Sequence, residues 1–99
     1  MAIYIDNELP TQVSERWHWP TACHLFTDPG NEAELHAFAA RIGIERRWYQ
    51  EHGPMPHYDL NGRRRKAAVR LRATELDRPA TVERIRAWRA AADSPLTRP

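Results

Sequence analysis

Leu35, Phe38, Ala39 and Ile42 recur at the i, i+3, i+4, i+7 spacing of a buried helical stripe. Both ends of that helix are written beside it. Asp28-Pro29-Gly30-Asn31 opens it: Asp28 can cap with Pro29 at the first helical position, or Asn31 can cap with Glu34 three residues on. Gly43 supplies a left-handed stop and lets Ile44 fold back onto the last turn. A helix so bounded restricts its neighbours to other elements that can cover its apolar stripe. Residues 2–5, with Ile3-Tyr4-Ile5, read as a short strand ending at Asp6, and Cys23-His24-Leu25-Phe26-Thr27 reads as a second. Between them, residues 7–20 carry Pro10, Pro20, Trp17 and Trp19 and read as a loop, longer than most in compact domains. Its plainer role is a loop pinned by two aromatics.

Residues 46–50 form a short third strand or an extended segment, and 51–56, with Gly53, Pro54 and Pro56, form a loop. A second helix is expected over about 61–72, turning Leu60, Ala67, Ala68 and Leu71 inward. Residues 73–76 offer a fourth strand, and Pro79 opens a third helix whose stripe is Val82, Ile85, Trp88 and Ala92. Strands alternating with helices predict an α/β fold: a small, single-layer, partly parallel sheet of three to four short strands with about three helices. One domain spans 1–93, followed by a loose tail at 94–99.

With 99 residues, 41% apolar and 28% charged, the chain suits one globular domain rather than a disordered segment. No apolar run approaches the roughly 20 residues that cross a bilayer. The start, Met1-Ala2-Ile3-Tyr4-Ile5-Asp6, lacks the basic and apolar regions of a signal peptide, so the cytoplasm is the expected compartment, with no membrane partner. The lone cysteine, Cys23, excludes an internal disulfide and a thiolate metal cluster. The net charge of +2 hides an asymmetry: Arg63, Arg64, Arg65, Lys66, Arg70 and Arg72 share a stretch without an acid. Such a local basic surface attracts phosphate.

Pro56-His57-Tyr58-Asp59-Leu60 concentrates the chemistry, placing an imidazole, a phenol and a carboxylate in a row before the basic helix. In an extended segment His57 and Asp59 point to one side and Tyr58 to the other. His57 is then a general acid or base, and Asp59 orients it or shares a metal with it. The plainer reading has Asp59 or Asn61 capping the second helix and Tyr58 plugging the core. If all strands run parallel, Asp6, Asp28, Gln50 and Asp77 join His57 on one rim, where open parallel sheets hold ligands. His57 and Asp59 with Asp6 or Asp28 would make a mixed nitrogen–oxygen set for a divalent metal such as Zn, Mn or Fe, although no pair has the spacing of a zinc motif. His24, sharing its strand face with Phe26, is a structural histidine or a substrate contact; His36 sits at the flank of the first helix. Cations in the first turns of the basic helix oppose its macrodipole, a conflict that bound phosphate removes. The plainer alternative is salt bridging to Glu32, Glu45 or Glu51.

Several segments together, Ile3-Tyr4-Ile5-Asp6, Cys23 to Asp28, Glu34 to Ala39, Arg47-Trp48-Tyr49-Gln50 and Pro56 to Leu60, resemble a bacterial and phage family, the domain of unknown function 4031 (DUF4031) family. Ala67-Ala68-Val69-Arg70-Leu71 and Glu75-Leu76-Asp77-Arg78 extend the resemblance. It implies a lineage and assigns no activity. The residues themselves lead to a small enzyme acting on a phosphate-bearing substrate, a nucleotide or nucleotide derivative. His57 and Asp59 are its reactive groups, with Asp6 and Asp28 beside them. Tyr58 and His24 contact the substrate, Arg63, Arg64 and Arg78 hold phosphate, and Trp48 or Gln50 contacts the base. One alternative is a nucleic-acid-binding module using the basic helix without catalysis. Another is a protein-interaction factor using the Trp17/Trp19 loop.

Overall fold

The computed structural model describes residues 2–53 and 55–93. Its frame is the strand β3 (Thr21–Thr27), seven residues long and paired on both edges. The strand β1 (Ile3–Ile5) runs antiparallel to it, with Tyr4 opposite Phe26 and Ile5 opposite Leu25. On the other edge β4 (Tyr58–Leu60) is also antiparallel, with His24 opposite Asp59 and Leu25 opposite Tyr58. Two-residue strands complete the sheet. β2 (Leu9–Pro10) pairs with Thr21 and Ala22, and β5 (Thr74–Glu75) runs parallel to β1. Among the described residues the fold is a small α/β one, with a mixed sheet of five short strands and three α-helices.

Alternation along the strands gives each face its own cover. Ile3, Ile5, Cys23, Leu25, Tyr58 and Leu60 point to one face, where α1 (Glu32–Arg41) lays down Leu35, Phe38 and Ala39 and α2 (Gly62–Arg70) lays down Ala68. The stripe read from the sequence is thus the one that α1 buries, although Ile42 lies just past its end, at the C-cap. Gly43 stops it at φ +81°, and the Ile44 amide returns to the Ala39 carbonyl at 3.0 Å. Asn31 takes the N-cap position at its start, but neither expected side-chain cap bond forms. The Asn31 amide nitrogen donates to Thr27 Oγ1, while Asp28 accepts from the Tyr4 hydroxyl at 2.8 Å. On the opposite face Tyr4, Phe26 and Met55 are covered by Ile85 and Trp88 of α3 (Arg78–Asp93), whose first turn Asp77 caps through the Ala80 amide. Trp88 Nε1 donates to the Thr27 carbonyl at 2.7 Å and fixes α3 to one end of that face.

Three expectations are corrected. Residues 7–20 are not all loop, because Leu9–Pro10 returns as a strand and makes the crossing to β3 an antiparallel hairpin. Residues 46–50 hold a 3-10 turn, Arg46–Trp48, rather than a strand, and only Gln50 bridges to His57. His57-Tyr58-Asp59 is not a loop beyond a strand end: it runs into and through β4. The expected tail, 94–99, lies outside the described residues.

Leu35 is fully buried, whereas Val82 on α3 is 39% exposed. Leu35→Ala is therefore expected to cost about 2–5 kcal/mol and Val82→Ala less than about 1 kcal/mol, read from urea unfolding midpoints at constant slope.

Candidate functional site

The face of the sheet that carries Tyr4 and Phe26 at one end carries Asp6, His24, His57 and Asp59 at the other. Register brings them together. Asp6 follows β1 and donates its amide to the His24 carbonyl, and His24 stands opposite Asp59 on β4. His57 precedes β4 and exchanges both backbone hydrogen bonds with Gln50, at 2.8 and 2.9 Å. Three stretches of chain, around Asp6, around His24 and over 50–59, thus converge on one patch. The His24 and His57 rings meet edge to face with centroids 4.7 Å apart. A nitrogen of each ring and an oxygen of Asp59 all lie within 4.8 Å of one another.

Each group is held from behind. Asp6 accepts the His24 amide through Oδ1 at 2.6 Å and faces His24 Nδ1 through Oδ2 at 2.7 Å. His57 Nδ1 meets the Met55 carbonyl at 2.9 Å. A carbonyl can only accept, so that nitrogen carries the proton. Gln50 Nε2 donates to Asp59 Oδ2. His57 Nε2 lies 3.4 Å from Asp59 Oδ1, longer than the 2.7–2.9 Å of an ordinary charge-assisted hydrogen bond. Burial works against charge on His57, but Asp59, the Met55 carbonyl and Asp6 outweigh it and raise its pKa. Burial likewise opposes charge on Asp59, yet His57, Gln50 and the neighbouring His24 hold its carboxyl below the usual range.

Above this patch lies a cleft of about 900 Å³, within the 300–1,000 Å³ typical of small-molecule sites. His24 and Asp59 line its floor, with Gln50 and Asn61 beside them. One wall is the β2–β3 hairpin with Arg16, Trp17 and Trp19; the other is the 3-10 turn with Arg47, Trp48 and Tyr49, backed by Arg64 of α2. Trp48 is 42% exposed and flanked by two guanidiniums, Arg47 at 5.8 Å and Arg64 at 5.7 Å from its ring centroid. Arg64 also donates to the Gly43 carbonyl at 3.2 Å.

The expected site residues divide accordingly. Asp59, His24, Gln50, Trp48 and Arg64 line the cleft, His57 lies buried against His24 and Asp59, and Asp6 supports His24 from beneath. Asp28 does not join them. Antiparallel pairing of β1 with β3 sends it to the far end of the sheet, where it meets Tyr4 and Arg84. Tyr58 is fully buried, with its hydroxyl 2.8 Å from His36 Nδ1, so it belongs to the core and cannot touch a substrate. Arg63 is exposed outside the cleft lining, and Arg78 borders a separate shallow groove on α3. The amino end of α2 is already served. Asn61 Oδ1 accepts the Arg64 amide at 2.8 Å, and a Cβ built on Gly62 would come within 3.2 Å of the Glu8 carboxylate. That internal acid faces the helix dipole where phosphate was expected. Arg65 is also engaged, with the Asp6 carbonyl and Glu75. Cys23 points to the buried face, and burial pushes its thiol up to about 12, so it is an inert packing group.

Sequence reasoning missed Arg16 and Glu8. Their signal was spatial: the hairpin returns residues 8–19 over the sheet. A protein-family model described as protein of unknown function (DUF4031) matches residues 3–88. No curated protein and no solved structure matches the chain.

An NMR titration of the five imidazoles in ligand-free protein is expected to place His57 above, and His36 below, the unperturbed value of about 6.5. Burial, then the Arg46 charge, lowers His36. The stabilising pairing of His57 is full below that value and fades as pH rises through its raised pKa, whereas neutral His36 costs stability as pH falls below 6.5. Asp59 contributes above roughly pH 4 and loses its contribution as pH falls through its depressed pKa. A His57 resonance titrating below 6.5 would contradict the pairing with Asp59.

Proposed function

Because the chain belongs to the DUF4031 family, proteins of unknown function, we propose an activity from the cleft itself: a small enzyme that acts on a phosphate-bearing substrate, a nucleotide or nucleotide derivative. One observation carries this reading. A single cleft joins a floor of His24 and Asp59, with His57 buried against them, to a wall in which a half-exposed indole is flanked by arginines. Indole and guanidinium together suit a ligand that is both planar and anionic, by stacking and by charge-assisted hydrogen bonds. The floor groups suit the activation of water or of a leaving group at the bond beside the phosphate. Acid–base chemistry thus centres on His57 and Asp59, with His24 as the third member. Phosphate falls to Arg64, with Arg47 and Arg16, and the base to Trp48.

A second reading, single-stranded nucleic acid held without chemistry, draws on the same wall, since Trp19 and Trp48 are both exposed beside arginines. Salt separates the two. A binding module loses affinity steeply with salt and is indifferent to changes in the floor.

Calorimetric titration with a nucleotide series is expected to give saturable binding, weakened roughly 5- to 100-fold by Trp48→Ala, the equivalent of losing about 1–3 kcal/mol of stacking. Arg63→Ala, outside the cleft, should bind as wild type does. The reading fails if no nucleotide binds, or if Trp48→Ala and Arg63→Ala bind alike.

A further inference from the structure

We propose that His24, His57 and Asp59 hold one divalent transition-metal ion, with Asp6, the Met55 carbonyl and Gln50 as the groups that orient the three ligands. The acceptors behind the two rings fix where their protons are. His57 Nδ1 faces a carbonyl and His24 Nδ1 faces a carboxylate oxygen at 2.7 Å; neither acceptor has a proton to give. Both Nδ1 atoms therefore donate, and in the neutral rings both lone pairs sit on Nε2. On Asp59 the Gln50 amide takes Oδ2, which leaves Oδ1 as the free acceptor. A ring nitrogen of each histidine and an oxygen of Asp59 lie within 4.8 Å of one another, and His57 Nε2 faces Asp59 Oδ1 directly. Lone pairs facing one another repel unless a cation lies between them.

Spacing favours a metal ion in that role over a proton. A proton shared by His57 and Asp59 would draw them to about 2.7–2.9 Å. They stand 3.4 Å apart. Two ligands at roughly 2.1 Å from one tetrahedral ion are separated by about 3.4 Å, the edge of that tetrahedron. The supports match those of metal-bound histidines, which pass their second ring proton to a carboxylate or a backbone carbonyl. Charge agrees as well, because Asp6 and Asp59 bring two negative charges to the patch and the rings are neutral when they ligate.

Two nitrogens and one oxygen suit zinc, iron(II), cobalt(II) or manganese(II); calcium and magnesium prefer all-oxygen sets. Cys23 stays out of the set, its side chain on the other sheet face. Three protein ligands leave a position open. The half-exposed His24 ring and Asp59 edge turn that position toward the cleft. A water held there would be acidified and would then supply the acid–base chemistry, with His57 and Asp59 acting as ligands of the ion instead of titrating themselves. This inference rests on the nucleotide reading for the use of the ion alone; binding of the ion is measured without a substrate.

The test is a titration of chelator-treated full-length protein with cobalt(II), followed by visible absorption and calorimetry. Wild type is expected to take up one ion per chain with the d–d bands of a four- or five-coordinate nitrogen–oxygen site. His24→Ala and Asp59→Asn should each weaken uptake at least 100-fold, and Asp6→Asn roughly 10- to 100-fold by releasing His24. His18→Ala and His52→Ala, both on exposed loop residues, should bind as wild type does. Far-UV circular dichroism of the ion-free variants checks that each is folded, and Asp59→Asn, nearly isosteric, is the decisive one. Absence of uptake by wild type, or uptake unchanged in folded Asp59→Asn, overturns the proposal. Nucleotide binding is scored separately: its absence with cobalt uptake intact defeats the earlier reading and leaves the metal site standing.

Discussion

The pairing of β3 along both edges is the constraint on which the remaining structure depends. It fixes which residue of β1 and which of β4 stand beside each position, and a slip by one residue would move every side chain to the other face. In the observed register Leu25 lies beside Ile5 and Tyr58, all three fully buried under the helices. The same register puts His24 beside Asp6 and Asp59 on the opposite face. Core and site are therefore one decision. Apolar burial on one face selects the register, and the register assembles the polar group on the other.

That second face is shared between two chemistries. Tyr4 and Phe26 are roofed by α3 at one end, where Trp88 and Arg84 tie the helix to Thr27 and Asp28. At the other end the polar residues lie under an open cleft instead of a helix. Buried polar groups are costly when they are only half satisfied. Here Asp6 accepts two hydrogen bonds, His57 is held by a carbonyl, and Asp59 by an amide. His57 Nε2 and Asp59 Oδ1, each held from behind, face one another at 3.4 Å.

Much of the architecture could be read in advance, because periodicity and punctuation are local. The α1 stripe, the Gly43 stop and the same-side placement of His57 and Asp59 follow from spacing alone. What depended on long-range pairing could not be read. Assuming parallel strands sent Asp6 and Asp28 to one rim, whereas the Leu9–Pro10 hairpin makes β1 and β3 antiparallel and sends them to opposite ends. His24 looked like an ordinary strand histidine because its partners are 18 and 35 residues away in sequence. The basic start of α2 appeared to want a phosphate because nothing local announces that Glu8 folds back to meet it. Tyr58 lies between two site residues yet points into the core, as strand alternation requires.

The cleft is built from materials of unequal stiffness. Its floor belongs to the central ladder, so its residues can separate only if the sheet itself comes apart. The hairpin wall is fastened more lightly, by the Thr11 amide to the Pro20 carbonyl, a Ser14–Trp17 turn and the Trp17 indole to Thr21. Segments with few buried contacts and exposed backbone bonds open at far lower free energy than core strands do. The wall is therefore the part of the cleft that yields at the lower free energy. The outline of the entrance is set by the hairpin, whereas alignment of His24, His57 and Asp59 is set by the sheet.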